Sequence, residues 1–347
     1  MVAHGLDPGG IEVVHQAVSR SIVGHATSAA IPVLALGETV ATLYHIVLLQ
    51  VLITKTLSSR GKSTMRSVVI TGASTGIGWA TAKLLLDRGF RVFGSVRKQA
   101  DADRLQSEFG ANFTPLLFDV TDEAAVKAAA TTVRSALGGE TLAGLVNNAG
   151  IAVPGPVLEL PAEQFRTQLD INVIGPIIAT QAFGPLLGVD PQLKGPKGRI
   201  VMISSVAGKS GNPMTPAYAA SKHAIEGLSE SLRRELMLFG IDVIIVAPGA
   251  VKTPIWGKSE SIDMSVYKNS PYLPVMSKVI EFTKHLSQIG LPPERIAEAV
   301  AEALTSPSPK VRYQITPDPM RHLITGLLPK RTVDRIIAKR LGLLPKA

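Results

Sequence analysis

Residues 67–71 read Ser-Val-Val-Ile-Thr, a short apolar strand that runs directly into Gly72-Ala73-Ser74-Thr75-Gly76-Ile77-Gly78. That loop opens a helix predicted over 77–88 and closed by Gly89. Glycine permits the tight turn and lets backbone approach a ligand closely. The helix N-terminus adds amide donors and positive potential. A strand, a glycine turn and a helix in immediate succession mark the place where a doubly wound α/β sheet binds a dinucleotide. The spacing is Gly-x-x-x-Gly-x-Gly rather than Gly-x-Gly-x-x-Gly, and a glycine-rich loop on its own can be a simple turn.

The rest of the chain repeats the alternation. Strands are predicted at 90–96 (FRVFGSV), 112–118 (NFTPLLF), 142–148 (LAGLVNN), 198–204 (GRIVMIS), 241–248 (IDVIIVAP) and 310–316 (KVRYQIT). Between them lie helices over 122–137, capped by Thr121 or Asp122, and over about 161–187, 216–239 and 293–304. Short, wholly apolar strands separated by helices mean a parallel sheet covered on both faces. The expected architecture is a doubly wound parallel sheet (Rossmann fold) of about seven strands. It forms one domain over 65–315, with an extension at 1–64 and a helical tail at 316–347.

The stretch with the most chemistry is Ser204 to Lys222, SSVAGKSGNPMTPAYAASK. Tyr218 and Lys222 stand four apart, on one face of a helix. A phenol near pKa 10 exchanges protons poorly at neutral pH, and an adjacent ammonium favours the phenolate. A hydroxyl from Ser204 or Ser205 at the preceding strand end can bind the oxygen that gains or loses the proton. Together they make a proton-transfer centre for an alcohol or ketone. Tyr-x-x-x-Lys also occurs on ordinary solvated helix faces, so the motif gains weight only from its neighbours.

Those neighbours resemble the short-chain dehydrogenase/reductase family over about 65–315. The likeness rests on TGASTGIG at 71–78, Asp119-Val120, Asn147-Asn148-Ala149-Gly150, Asn172 in DINVIG, Ser205, Tyr218-x-x-x-Lys222, and Pro248-Gly249 with Thr253. The resemblance implies a cofactor site made by Gly72, Ser74, Gly76, Ile77, Gly78, Arg97, Asp119, Val120, Asn147, Ala149, Gly150, Tyr218, Lys222, Pro248, Gly249 and Thr253. Within it the glycines would cradle the pyrophosphate, Asp119 would meet the adenine amino group and Val120 the ring. Asn147 would sit at the edge of the fourth strand beside the ribose, and Thr253 would meet the carboxamide or a phosphate. Asp119 can equally cap the helix that follows, and Asn147 can be a turn residue. The likeness also implies Tyr218 as general acid/base, Lys222 on the ribose hydroxyls, Ser205 on the carbonyl oxygen and Asn172 holding a relay water. Ser204 is then expected to point into the sheet. The second strand ends Gly94-Ser95-Val96-Arg97-Lys98 with no acid, which favours NADP over NAD. Thr75 stands where NADP-dependent members often carry a second basic residue.

Specificity is expected from 254–291, which holds Ile255, Trp256, Met264, Tyr267, Tyr272, Leu273, Met276 and Phe282. It reads as an apolar lid over the nicotinamide or as ordinary packing of a long insertion, with a loose likeness to the steroid- and retinol-oxidising branch. The chain has no cysteine, so thiolate catalysis, disulfides and cysteine-ligated metal are excluded, and the proposed chemistry requires no metal. The net charge of +9 is concentrated at the end: residues 305–347 carry nine Lys/Arg against two acids, and 65–304 carry 23 against 22. Aromatics are not interleaved with the basic residues, which argues against a nucleic-acid partner. The tail offers Leu327, Leu328, Val333, Ile336, Ile337 and Leu341 among Lys330, Arg331, Arg335, Lys339 and Arg340. Such a helix can pack with a solvated face, cover the substrate mouth or lie on an anionic membrane.

Residues 1–64 contain an apolar run near 29–53 broken by Glu38, and a central Glu costs about 3 kcal/mol of insertion. The segment reads as upstream sequence before Met65, as a surface-lying or packed helix, or as a membrane span. The functional expectation is an NADP-preferring oxidoreductase (NAD possible as cofactor) for a small apolar alcohol or ketone, steroid- or retinoid-like. A 3-ketoacyl thioester reductase and a non-catalytic dinucleotide-binding regulator are the alternatives. The family likeness implies a homodimer or homotetramer; the absence of cysteine suits a reducing compartment, so a cytoplasmic place is expected, with peripheral membrane contact through the tail left open.

Overall fold

The computed structural model describes residues 65–256 and 264–345. The three readings of 1–64 lie outside the described residues. Seven strands form one sheet in the order β3-β2-β1-β4-β5-β6-β7. They are β1 (Ser67–Ile70), β2 (Arg91–Val96), β3 (Phe113–Leu117), β4 (Gly144–Asn147), β5 (Arg199–Ile203), β6 (Asp242–Pro248) and β7 (Arg312–Ile315). Every pairing is parallel. The chain winds outward from β1 to β3, then crosses back to lay β4 on the other side of β1. The carboxyl ends of β1 and β4 therefore open a crevice at the switch point, where sheets of this kind bind ligands.

Strand residues alternate between two cores because successive side chains leave opposite faces. Val68 and Ile70 pack with Leu85, Leu105, Val300 and Leu304. Val69 and Leu145 pack with Val133, Phe183, Leu187 and Ile225. Helices α1 (Gly76–Asp87), α2 (Gln99–Phe109) and α8 (Pro293–Thr305) cover the first face. Helices α3 (Glu123–Leu137), α5 (Gly175–Phe183) and α6 (Pro216–Glu235) cover the second. Helix α2 is a finding; its region carried no sequence expectation.

The single helix expected over 161–187 is interrupted. Helix α4 (Ala162–Leu169) leads into one π turn at Asp170–Ile174, then α5, then a 3-10 turn at Gly184–Leu187. The region after β6 is also more ordered in kind than a loop, since Leu273–Ile289 is helix α7. Helices α9 (Pro319–Leu327) and α10 (Lys330–Leu341) form the tail.

Candidate active site

The glycine loop fills the crevice at the end of β1. Gly72 has φ +68°, a backbone conformation that a side chain strains, and its amide donates to Ser95 Oγ at 2.9 Å. A Cβ on Gly78 would lie 2.1 Å from Gly72 O, so the loop closes on α1 only because that position has none. The loop is tied to β4 by Thr71 Oγ1, which accepts from Asn148 N and Ala149 N at 3.0 Å. Asn148 Nδ2 donates to Thr71 O at 2.9 Å and Gly72 O at 3.0 Å. Thr253 lies across the turn, its Cγ2 3.1 Å from where a Gly76 Cβ would stand.

A dinucleotide fits this cradle. Thr75 makes no side-chain cap on α1, and no acid stands in its first turn, so the first amides and the helix dipole face a phosphate without competition. Ser74 and Ile77 sit on the same rim, half-buried. Arg97 and Asp119 meet beyond the ends of β2 and β3, with Arg97 Nη1 3.8 Å from Asp119 Oδ2. The other Asp119 oxygen accepts from Thr121 N and Oγ1, so the turn before α3 uses one face of that carboxylate. Val120 is buried against Gly175 of α5, where a Cβ would come within 2.7 Å of its methyl.

Asn147 departs from its expected place. Strand alternation turns its side chain under the sheet, where Nδ2 donates to Thr180 Oγ1 at 3.1 Å and to Met202 Sδ at 3.3 Å. Its neighbour Asn148 is the residue that binds the loop. Thr71, Ser95 and Asn148 thus hold the cradle although the sequence reading assigned none of them a role.

The residues expected to transfer protons converge at the end of β5. Of the serine pair, Ser205 is the one whose hydroxyl favours the ionised form of the Tyr218 phenol. Ser205 Oγ also accepts from Ala207 N at 3.1 Å and lies 3.4 Å from Pro248 O. Ser204 turns away and donates to Glu226 Oε1 at 2.8 Å. Burial pushes the Tyr218 phenol above its ordinary value, opposed by the nearby Ser205 hydroxyl. Lys222 is buried, its Nζ 5.7 Å from the Tyr218 ring centre and donating to Ile203 O at 2.8 Å. Burial lowers its pKa from 10.5 to about 8, with the nearby Glu226 pulling it back up.

Asn172 sits in the π turn, 2% exposed. Its Oδ1 accepts from Ile151 N at 2.9 Å, and its Nδ2 donates to Ile151 O at 3.0 Å and Ser221 Oγ at 3.1 Å. It therefore clamps the chain after Gly150 to α6, one residue before Lys222. A π turn offers a side chain at a register that an α-helix would not reach, and such turns gather at functional sites. Pro248 and Gly249 close the site from β6, with Gly249 N donating to Ile315 O at 2.7 Å.

The loop between Ser205 and Tyr218 carries Met214 at φ 63°, the one non-glycine residue with positive φ among those described. Its carbonyl accepts from Gly155 N at 2.8 Å, and its side chain is buried with Tyr267, Val275 and Met276 of the insertion. Strain of this kind persists where packing imposes it. The tail meets the same cluster through Leu341 and Leu343, and Arg340 lies over the Phe282 ring at 5.1 Å. Met320, Ile324 and Leu327 on α9 stay exposed. Among the described residues no helix is long and apolar enough to cross a membrane, and no group of metal-binding side chains occurs.

Comparison with known proteins finds relatives over most of the chain. The family model for the short chain dehydrogenase matches residues 66–263. An NADPH-dependent 3-dehydrocapnine reductase of Ornithobacterium rhinotracheale is 39% identical over 278 residues, 80% of this chain and 98% of that protein. Human short-chain dehydrogenase/reductase family 9C member 7 is 31% identical over 294 residues, 81% of this chain and 91% of its own. The crystal structure of a short-chain dehydrogenase from Streptomyces avermitilis superposes with a TM-score of 0.64 at 26% identity, covering 82% of this chain and 99% of the other.

Proposed function

The chain belongs to the short-chain dehydrogenase family, and from that premise we propose that it reduces an apolar ketone with Tyr218 as the proton donor. The observation that carries this reading is the cluster of Ser205, Tyr218 and Lys222 at the carboxyl end of β5, beside the uncapped glycine cradle. The protein is an NAD(P)-linked oxidoreductase for CH–OH or carbonyl groups. When bound, the nicotinamide supplies or accepts the hydride. Ser205 orients and polarises the carbonyl oxygen, and Tyr218 delivers a proton to it. The phenol is protonated at neutral pH and can donate, and the positive charge of Lys222 offsets the rise in its pKa that burial causes. Lys222 holds positive charge beside the phenol, offsetting the charge that develops there. Asn172 fixes the backbone on which both stand.

Arg97, with no acid at the end of β2, supports a preference for NADP. The Ornithobacterium relative is named as an NADPH-dependent reductase, which supports both cofactor and direction. Met214, Tyr267, Val275 and Met276 support an apolar substrate. A groove of about 370 Å³ runs along the N-terminal turn of α6, walled by Asn212 and Asp334 as well as Pro213, Ile337 and Leu343, and none of Ser205, Tyr218 and Lys222 lines it. With one wall of that groove and its contacts to α7, α10 acts as a cover for the substrate mouth. The exposed apolar residues of α9 beside the cationic α10 support peripheral contact with an anionic membrane. Pairing through α4–α5 and α6 into a dimer or tetramer follows the family likeness.

The test is NADPH oxidation by the full chain against steroid ketones, retinal-like aldehydes and short 3-ketoacyl thioesters, each repeated with NADH. Turnover of a bulky apolar carbonyl, faster with NADPH, is expected. Turnover of the short thioesters alone would replace the apolar substrate with an acyl chain. Tight cofactor binding with no turnover anywhere would overturn the enzymatic reading in favour of a regulatory one.

A further inference from the structure

Two charged side chains are buried among the described residues, Lys222 and Glu226, at 7% and 6% exposure. They stand one helical turn apart on α6. A buried carboxylate is expensive unless it is paired and hydrogen-bonded, and Glu226 is both. Oε1 accepts from Ser204 Oγ at 2.8 Å, and both oxygens accept from the Arg312 guanidinium at 3.0 to 3.2 Å. Lys209 Nζ lies 3.7 Å from Oε2 and is largely exposed. The charged groups facing Glu226 are therefore Lys222 on its own helix, Lys209 beyond the turn that follows β5, and Arg312 on β7.

The packing around this carboxylate is as specific as its bonds. A Cβ on Gly208 would lie 2.8 Å from Glu226 Cγ and 2.8 Å from Ser204 Oγ, so the turn after Ser205 closes directly onto it. Glu226 thus joins three parts of the molecule: the strand end that carries Ser205, the helix that carries Tyr218 and Lys222, and the last strand of the sheet.

We propose that Glu226 is a positioning residue of the active site, its Arg312-anchored carboxylate holding Lys222 in the ammonium form and holding the Ser204–Ser205 strand end against α6. This rests on the roles given above to Ser205, Tyr218 and Lys222. Lys222 loses hydration on burial, and its one hydrogen bond to Ile203 O replaces only part of it. The opposing pull comes from Glu226, whose negative charge raises its proton affinity. Arg312 tempers that pull while fixing where the carboxylate sits, so the last strand of the sheet positions the group that acts on Lys222.

The test uses Glu226→Gln, which keeps the shape and an acceptor for Ser204 but removes the charge. In cofactor-free full-length protein labelled with 13Cε-lysine, the Lys222 resonance is expected to titrate near 8 in the parent. In Glu226→Gln its midpoint should fall by roughly half a unit or more. The pH limb of kcat/KM for ketone reduction should move the same way. Arg312→Gln, which leaves the carboxylate and removes its guanidinium, should leave the midpoint in place or raise it. Glu226→Asp should keep the midpoint near the parent's and lower kcat/KM at every pH. A merely structural Glu226 would lower thermal stability in all three variants without moving the midpoint, and that result overturns the proposal. A downward move in Arg312→Gln equal to that in Glu226→Gln would overturn it as well. The lysine titration needs neither substrate nor cofactor, so it can fail or succeed independently of the substrate assignment.

Discussion

Replacing Lys222 with Met should stabilise the folded protein while abolishing turnover. Lys222 is 7% exposed, and its pKa falls from 10.5 to about 8, chiefly through lost hydration. At 1.36 kcal/mol per unit that shift is a penalty of about 3 kcal/mol on carrying the charge inside the fold. Met retains the buried stem and removes the charge, at the loss of the 2.8 Å bond to Ile203 O, worth about 1 kcal/mol. The net expectation at pH 7 is a gain of about 1–2 kcal/mol, or roughly 2–8 °C in Tm. The pH dependence gives the argument its sign. Between about 8 and 10.5 the unfolded state binds a proton at Lys222 that the folded state does not, so the parent gains stability as pH rises through that window. The advantage of the Met variant is therefore full below about 8 and shrinks toward 10.5. Urea denaturation of both proteins at pH 7 and at alkaline pH reads the difference, in which every other titrating group cancels. A Met variant less stable at pH 7, with a deficit unchanged at alkaline pH, would refute the reasoning.

Three further outcomes follow from the same geometry. Asn172→Ala leaves the half-buried Ile151 N without its acceptor, while Ile151 O keeps its bond from Gln168 Nε2, which should cost about 1–3 kcal/mol in urea denaturation and lower kcat. Gly78→Ala puts a methyl 2.1 Å from Gly72 O, so NADPH affinity measured by fluorescence titration should fall at least tenfold, or the protein should fail to fold. Arg97→Asp removes the cation at the end of β2 and adds the acid that a ribose hydroxyl prefers; the ratio of kcat/KM for NADH over NADPH should rise at least tenfold.

The parts of the molecule visible in the sequence are those whose physics is local. Strands buried on both faces need apolar runs such as Val68-Val69-Ile70 and Val243-Ile244-Ile245-Val246, and these stand out. Tyr218 and Lys222 lie one turn apart on a single helix, so spacing alone brings them together. Helix α2 gave little signal because Ala102 and Leu105 are its only buried residues. The π turn at 170–174 depends on a shift in backbone bonding that no residue type announces. Whether Asn147 or Asn148 faces the loop depends on the last residue of β4, one position that flips every side chain after it. The Glu226–Arg312 pair spans 86 residues and forms only when β7 is added beside β6. Nothing local marks either partner.

The central claim is that Tyr218 gives the proton to the carbonyl oxygen, and Tyr218→Phe in the full chain tests it most directly. The measurement is single-turnover NADPH oxidation with the best ketone from the panel, beside NADPH affinity by fluorescence titration. The account predicts affinity within a few-fold of the parent and a rate lower by roughly 10²–10⁴, the usual worth of general acid catalysis. A variant that turns over the ketone at the parent's rate would contradict it.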